Sequence, residues 1–169
     1  ANQMTGHLIQ YLRSSLPKMR ENTSTVGQEI ELVRAYLNIL KMRMGERLAF
    51  DIDCPADLNG ISFPPMMLPS LVENAIKHGI GPRPTPGQIV VRSRRVGALL
   101  ELDVQDNGVG LSAARLTDFN RGVGLSNTRS RLEHLYGSLH RFEFRQPAEG
   151  GLLVHIAIPM AELAVEVGE

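Results

Sequence analysis

One cysteine, no net charge and no uninterrupted apolar stretch limit what this chain can be. Cys54 is the single cysteine among 169 residues. An internal disulfide is therefore excluded, and a reducing compartment is the natural setting. Eighteen Lys and Arg balance eighteen Asp and Glu. A chain without net charge carries no global electrostatic footprint for nucleic acid or for an anionic membrane, so a nucleic-acid partner is not expected. The first residues are polar and mixed, with no signal-peptide pattern. The longest apolar run, 61–72, contains Pro64, Pro65 and Pro69, and it falls short of the roughly 20 apolar residues a membrane helix requires. His134, His140 and His155 have no ligand spacing with Cys54, which argues against zinc. Internal repeats and low-complexity tracts are also lacking.

What is present is an ordinary globular composition, 43% apolar. A domain of this length buries about 68–70% of the surface its unfolded chain exposes, and it can fold without staples. Met4, Leu8, Leu12 and Leu16 predict a first helix, stopped by Pro17. The chain starts inside that pattern, so we expect it to be a piece of something longer. Thr25 and Gln28 match a capping box. Ile30, Val33, Leu37, Leu40 and Met44 then form an apolar stripe ending at Gly45. Alternation predicts a strand from Leu48, and two more over 88–96 and 98–105 with Leu100, Leu102 and Val104 on one face. A helix is expected over 125–136, with Leu125, Leu132 and Leu135 inward, and strands around 138–145 and 152–158. Residues 160–169 read as a frayed tail. Strands packed under helices point to an α/β sandwich.

The most informative stretch is Ser70 to His78. As a helix it places Leu68, Leu71, Val72 and Ala75 on one side, and Ser70, Asn74, Lys77 and His78 on the other. Gly79 and Gly81 are expected to end it. A carboxamide oxygen suits a hard cation and Lys suits phosphate, and Glu73 adds a carboxylate beside them. The bland alternative is an ordinary polar face. A second segment, Asp106-Asn107-Gly108-Val109-Gly110, follows an alternating strand. It is either a turn or a place where two glycines admit a flat ligand beside a carboxylate that accepts an amino group and disfavours a carbonyl. A third, Gly122-Val123-Gly124-Leu125, precedes a helix whose amides and dipole attract phosphate. The eleven residues between Gly110 and Gly122 then form a hinged lid. Singly each segment is ambiguous; in this order they supply a metal ligand, a base reader, two hinges and a phosphate cradle.

These segments resemble the N box, the DxGxG box and the second glycine box of the GHKL, or Bergerat, ATP-binding fold shared by gyrase, Hsp90, histidine kinases and MutL. The wording from Pro64 to Gly79, from Gly122 to Leu132 and from Glu29 to Arg43 is similar to LytS-type sensor histidine kinases. The resemblance implies a two-layer α/β sandwich, with residues 1–45 as a helical end of the phosphoacceptor region or linker, 46–160 as the catalytic domain and 161–169 as a tail. It implies ATP and Mg²⁺ as cofactors, with Asn74 on the metal and Asp106 on the adenine amino group. Gly108 and Gly110 flank the base. Gly122, Gly124 and Leu125 hold phosphate, and Lys77 and His78 lie near the phosphates. Glu73, Asn74 and Lys77 are the catalytic candidates. Glu73 either polarises the metal's water or orients Asn74.

The resemblance also implies partners: a phosphoacceptor helix of the same or a second chain, a response regulator, and a homodimer in the full-length protein. It implies residence on the cytoplasmic side of a membrane-anchored bacterial sensor. Two departures bear on chemistry. The glutamate that activates water in the ATPase relatives is replaced by Ser70, which cannot take a proton; this favours phosphoryl transfer over hydrolysis. Leu152 stands near Gly150-Gly151 where many relatives carry Thr. No Asn-Pro-His-Phe-like phosphoacceptor motif is present, and the neighbours of His7 do not match one. A GHKL ATPase, an anti-sigma-type serine kinase and a non-binding scaffold are the competing readings.

Overall fold

A computed structural model describes residues 23–81, 84–111 and 125–161. The first predicted helix, with His7, lies outside these residues. So do Gly122 and Gly124, most of the expected lid, and residues 162–169 of the tail.

Helix α1 spans Val26–Met44, and the capping box is formed. The Gln28 amide donates to Thr25 Oγ1 and the Thr25 amide to Gln28 Oε1, both at 3.2 Å. Two further amides of the first turn donate outside the helix, Val26 to the Ile61 carbonyl at 2.9 Å and Gly27 to that of Asn59 at 3.0 Å. Four orphan amides are the rule at a helix start. Satisfying them from the loop 59–61 stitches α1 to the sheet domain. The stripe Ile30, Val33, Leu37 and Leu40 is buried, and Gly45 closes the helix with a positive φ of 57°.

Strands β1 (Leu48–Asp53), β2 (Gly87–Val96), β3 (Leu99–Asp106), β4 (Arg141–Arg145) and β5 (Leu152–Pro159) form one sheet in the order β1-β2-β3-β5-β4. Only the β1–β2 pair is parallel. That pairing needs a crossover, which is the motif helix. Helix α2 covers Met67–Asn74 and continues as a π-helical turn over Ala75–Ile80. Helix α3 covers Leu125–Tyr136. The apolar sheet face carries Ile89, Val91, Leu100, Leu102, Val104, Val154, Ile156 and Ile158, all buried with Leu37, Leu68 and Leu132 of the helices. The opposite face is charged, with Arg94, Glu101, Asp103, Glu143 and His155 linked across strands. The expected two-layer α/β sandwich is thus observed, as a mixed sheet with its helices on one side.

Three local expectations change. Gly79 does not end the motif helix, because the wide π turn carries the chain to Ile80 and the Gly81 amide donates to Ile76 at 2.7 Å. Leu135 is 51% exposed rather than inward. Leu125, Thr128 and Leu132 are buried, with Tyr136 packed partly against the core, and this i, i+3, i+7, i+11 stripe leaves position 135 to one side. Residues 137–139 form a 3₁₀ turn, so β4 begins only at Arg141.

Candidate functional site

Alternation along β3 places Asp106 on the same face as Leu100, Leu102 and Val104. A carboxylate therefore occupies the end of an apolar row, 2% exposed. Burying such a group is costly without hydrogen bonds. The Gly108 amide donates to Asp106 Oδ1 at 2.9 Å. Glycine backbone forms part of the surrounding wall. A Cβ on Gly79 would lie 2.6 Å from Asp106 Oδ1, and one on Gly108 would lie 2.0 Å from the Gly79 carbonyl oxygen. That carbonyl accepts the Val109 amide at 3.0 Å. The π turn and the loop after β3 thus meet backbone to backbone, over the aspartate. Gly151 packs against the backbone of the same residue, where a Cβ would lie 1.9 Å from the Asp106 carbonyl oxygen.

The segment 106–111 is no hairpin. Asn107 turns back to the start of β2, where its Oδ1 accepts the Gln88 amide at 2.7 Å. Gly110 adopts φ +84° beside the Gly151 carbonyl. Leu152 is in register with Asp106 and fully buried, so that position offers the site an apolar neighbour.

Asn74 ends the regular part of α2 and is 6% exposed; Glu73, Lys77 and His78 are half-buried around it. Asn74 precedes Gly79 by five residues, roughly 7 Å along a helix axis. The helix therefore connects a buried carboxamide to the backbone lying against Asp106. Ser70 Oγ donates to the Met66 carbonyl at 2.8 Å, a back-bond within its own helix that gives it no role as a base. Leu125 is buried at the start of α3, directly after the glycines that lie outside the described residues.

The donor set fits a magnesium nucleotide. Among the described residues no group of three His, Cys, Asp or Glu could cage a metal. Mg²⁺ does not need such a cage, because it usually keeps waters and takes one or two protein ligands plus substrate phosphates. A buried carboxamide oxygen meets that requirement. A buried carboxylate beneath glycine backbone matches an exocyclic amino group.

Sequence reasoning missed two members of the site. Gly79 lies over the carboxylate as well as forming part of the helix end, and Gly151 packs closely against the Asp106 backbone. The available signal was Asp106 itself, a charged residue at a position where period two demands an apolar one.

Comparison with known proteins is consistent with this geometry. Residues 62–162 match the family described as histidine kinase-, DNA gyrase B- and HSP90-like ATPase, and residues 1–48 match a family described as histidine kinase. The chain is 32% identical to the sensor protein LytS of Enterococcus faecalis over 96% of its own length and 29% of that protein's. It is 30% identical to the sensor histidine kinase YesM of Bacillus subtilis over 88% of its length and 26% of that protein's. The chain therefore spans less than a third of these relatives. The catalytic domain of the histidine kinase ThkA, in a nucleotide-free form, superimposes with a TM-score of 0.61 at 18% identity, covering 81% of this chain and 93% of that one. A structure of ThkA with the response regulator TrrA gives 0.61 at 16% identity, over 82% of this chain and 41% of that one.

Proposed function

The chain belongs to the family of histidine kinase-, DNA gyrase B- and HSP90-like ATPases, and on that premise we propose that it is the ATP-binding catalytic module of a LytS-like sensor histidine kinase. The observation that carries the proposal is a buried Asp106 on the apolar face of the sheet, roofed by the backbone of Gly79 and Gly108. The carboxylate takes the adenine amino group, with Gly108 and Gly110 flanking the base. Asn74 ligates Mg²⁺, Lys77 and His78 meet the phosphates, and Glu73 orients Asn74 or the metal's water. Gly122, Gly124 and Leu125 complete the phosphate cradle.

Phosphoryl transfer is largely positioning and charge neutralisation, and the side chains named here provide both. The γ-phosphoryl passes to a histidine outside these residues, brought in by residues 1–45 or by a second copy in a homodimer. From there it passes to an aspartate of a response regulator. Residues 46–160 are the catalytic domain in this reading. Among the described residues no helix is long and apolar enough to cross a membrane. The back-bonded Ser70 supports transfer rather than hydrolysis.

Calorimetric titration with ATP and GTP, with and without Mg²⁺, tests the reading. ATP binds with a Mg²⁺-dependent increment that Asn74→Ala removes, GTP binds far more weakly, and labelled ATP leaves no stable acid-labile label on this chain alone. Equal affinity for the two nucleotides, or an unchanged Mg²⁺ increment in the variant, overturns it.

A further inference from the structure

Helix α2 lacks a cap of its own. Its N-cap position is Met66, which offers no side-chain hydrogen bond and adopts a left-handed φ of 63°. A non-glycine residue held there is strained, and it persists only when its surroundings impose it. Pro69 contributes no amide at all. The first-turn amide of Leu68 instead donates across the fold, at 3.3 Å, to Glu29 Oε1 on the first turn of α1. The Met66 backbone bonds the same carboxyl group. Ser24 Oγ donates to Glu29 Oε2 at 3.0 Å, and Arg131 of α3 adds a positive field. Glu29 is fully buried. A carboxylate at the positive end of a helix is well placed, yet this one is supplied by a different helix, 39 residues away in sequence.

We propose that Glu29 is a positioning residue of the nucleotide site, capping α2 from α1 and fixing the axial place from which Asn74 and Lys77 reach the metal and the phosphates. The inference rests on the functional reading above. The helix bearing Glu29 lies within the 1–48 segment that matches the histidine kinase family, and the helix it caps carries the metal ligand. The two segments are therefore joined by one side chain as well as by general packing.

Burial pushes the Glu29 carboxyl up to about 7, against the pull of the Met66 backbone, the Ser24 hydroxyl, the Leu68 amide and Arg131. The cap therefore changes charge near neutrality. An ionised carboxylate makes stronger bonds to two amides than a protonated one. Mg-ATP affinity should accordingly rise from pH 6 to pH 8 more steeply in the wild type than in Glu29→Gln.

The experiment uses the whole chain and compares wild type, Glu29→Gln, Glu29→Asp and Ser24→Ala by calorimetry with Mg-ATP and with adenosine. In Glu29→Gln the affinity for Mg-ATP at pH 8 falls about tenfold while that for adenosine, which reads Asp106, stays unchanged; Glu29→Asp recovers part of the loss. In Ser24→Ala the midpoint of the pH profile moves upward, because a donor to the carboxylate has gone. If Glu29→Gln does not fold, that midpoint decides alone, and an unmoved one refutes the proposal. Equal loss of both ligands in folded Glu29→Gln reduces Glu29 to a structural residue and also refutes it. A wild type that binds no Mg-ATP refutes the functional reading instead. A wild type that binds it, with Glu29→Gln matching its affinity and pH profile, refutes only the role of Glu29.

Discussion

Asp103 and Asp106 lie three residues apart on β3, both more than nine-tenths buried, and their surroundings are opposite. Asp103 is on the charged face. His155 Nδ1 donates to its Oδ1 at 2.6 Å, and Arg94 Nη1 lies 3.5 Å from its Oδ2. Asp106 is on the apolar face and is met by the Gly108 amide and by glycine backbone. A guanidinium and an imidazole nitrogen meet the first. The second lies against glycine backbone, which approaches it closely enough to fix its position. Burial alone does not mark a site; what surrounds the buried charge does.

The strongest way to break this contrast is to disturb the glycine wall. A methyl at Gly108 would lie 2.0 Å from the Gly79 carbonyl oxygen, and that neighbour is backbone with no rotamer to escape into. Gly108→Ala should abolish measurable ATP binding and lower stability by roughly 3–5 kcal/mol, read by calorimetry and by denaturant unfolding. An alanine variant with wild-type affinity would mean that the π turn and the loop after β3 separate freely, and the geometry assigned to Asp106 would be wrong.

A third buried carboxylate, Glu29, sharpens the comparison because it titrates near neutrality. Its ordinary value is 4.5, and in the folded chain it is about 7. Between those values the folded state binds more protons than the unfolded one. The stabilising contribution is therefore full below about pH 4.5 and is lost as pH rises through 7, a change of about 3 kcal/mol. Urea midpoints measured from pH 4.5 to 8 should show this fall against Glu29→Gln as the reference. Parallel curves for the two proteins would remove Glu29 as its source.

Exchanging carboxylate for carboxamide tests the two aspartates directly. In the proposed reading Asp106→Asn places an amide where the adenine amino group would donate, and ATP affinity should drop about 100-fold, the loss of a charge-assisted hydrogen bond, with little change in unfolding. Asp103→Asn should do the reverse, lowering stability by about 1–2 kcal/mol while ATP affinity holds. If both variants lose affinity equally, the charged sheet face belongs to the site and the distinction between the two residues fails.

Much of this architecture could be read from the chain. The capping box at Thr25, the stripe from Ile30 to Leu40, the helix turn at Gly45 and the alternation in β3 are local patterns, and each appears where its period places it. Asn74 and Asp106 also stand out in the sequence, although each alone fits an ordinary polar face or a turn and only their order together points to a site. What escaped depends on contacts between distant segments. Gly79 reads as a helix stop until Asp106 is laid against it. Leu135 reads as core until Tyr136, one residue on, takes the inward position. Glu29 reads as one more acid in a helix start, since nothing local says that its carboxylate caps a helix 39 residues later. The π turn likewise follows from the meeting of Gly79 with the loop after β3, and no periodicity announces it.

The smallest expected effect concerns the start of α1. Thr25→Ala removes one hydroxyl acceptor from the Gln28 amide. Capping threonines contribute about 1 kcal/mol. Here the Val26 and Gly27 amides already have carbonyl partners in the loop 59–61, which leaves the cap responsible for a single donor. The loss should fall at the low end, about 0.5–1 kcal/mol, and lower the melting temperature by about 1–4 °C for a domain of this size. Glu29 stands one residue beyond Gln28, and its amide donates to the Thr25 carbonyl at 3.0 Å, a bond the substitution keeps. The carboxylate should therefore stay on α2, and Mg-ATP affinity should remain within about twofold. A larger fall in affinity at unchanged stability would show that the first turn of α1 is set by its cap rather than by the loop, and that the nucleotide site feels even a small displacement of that turn.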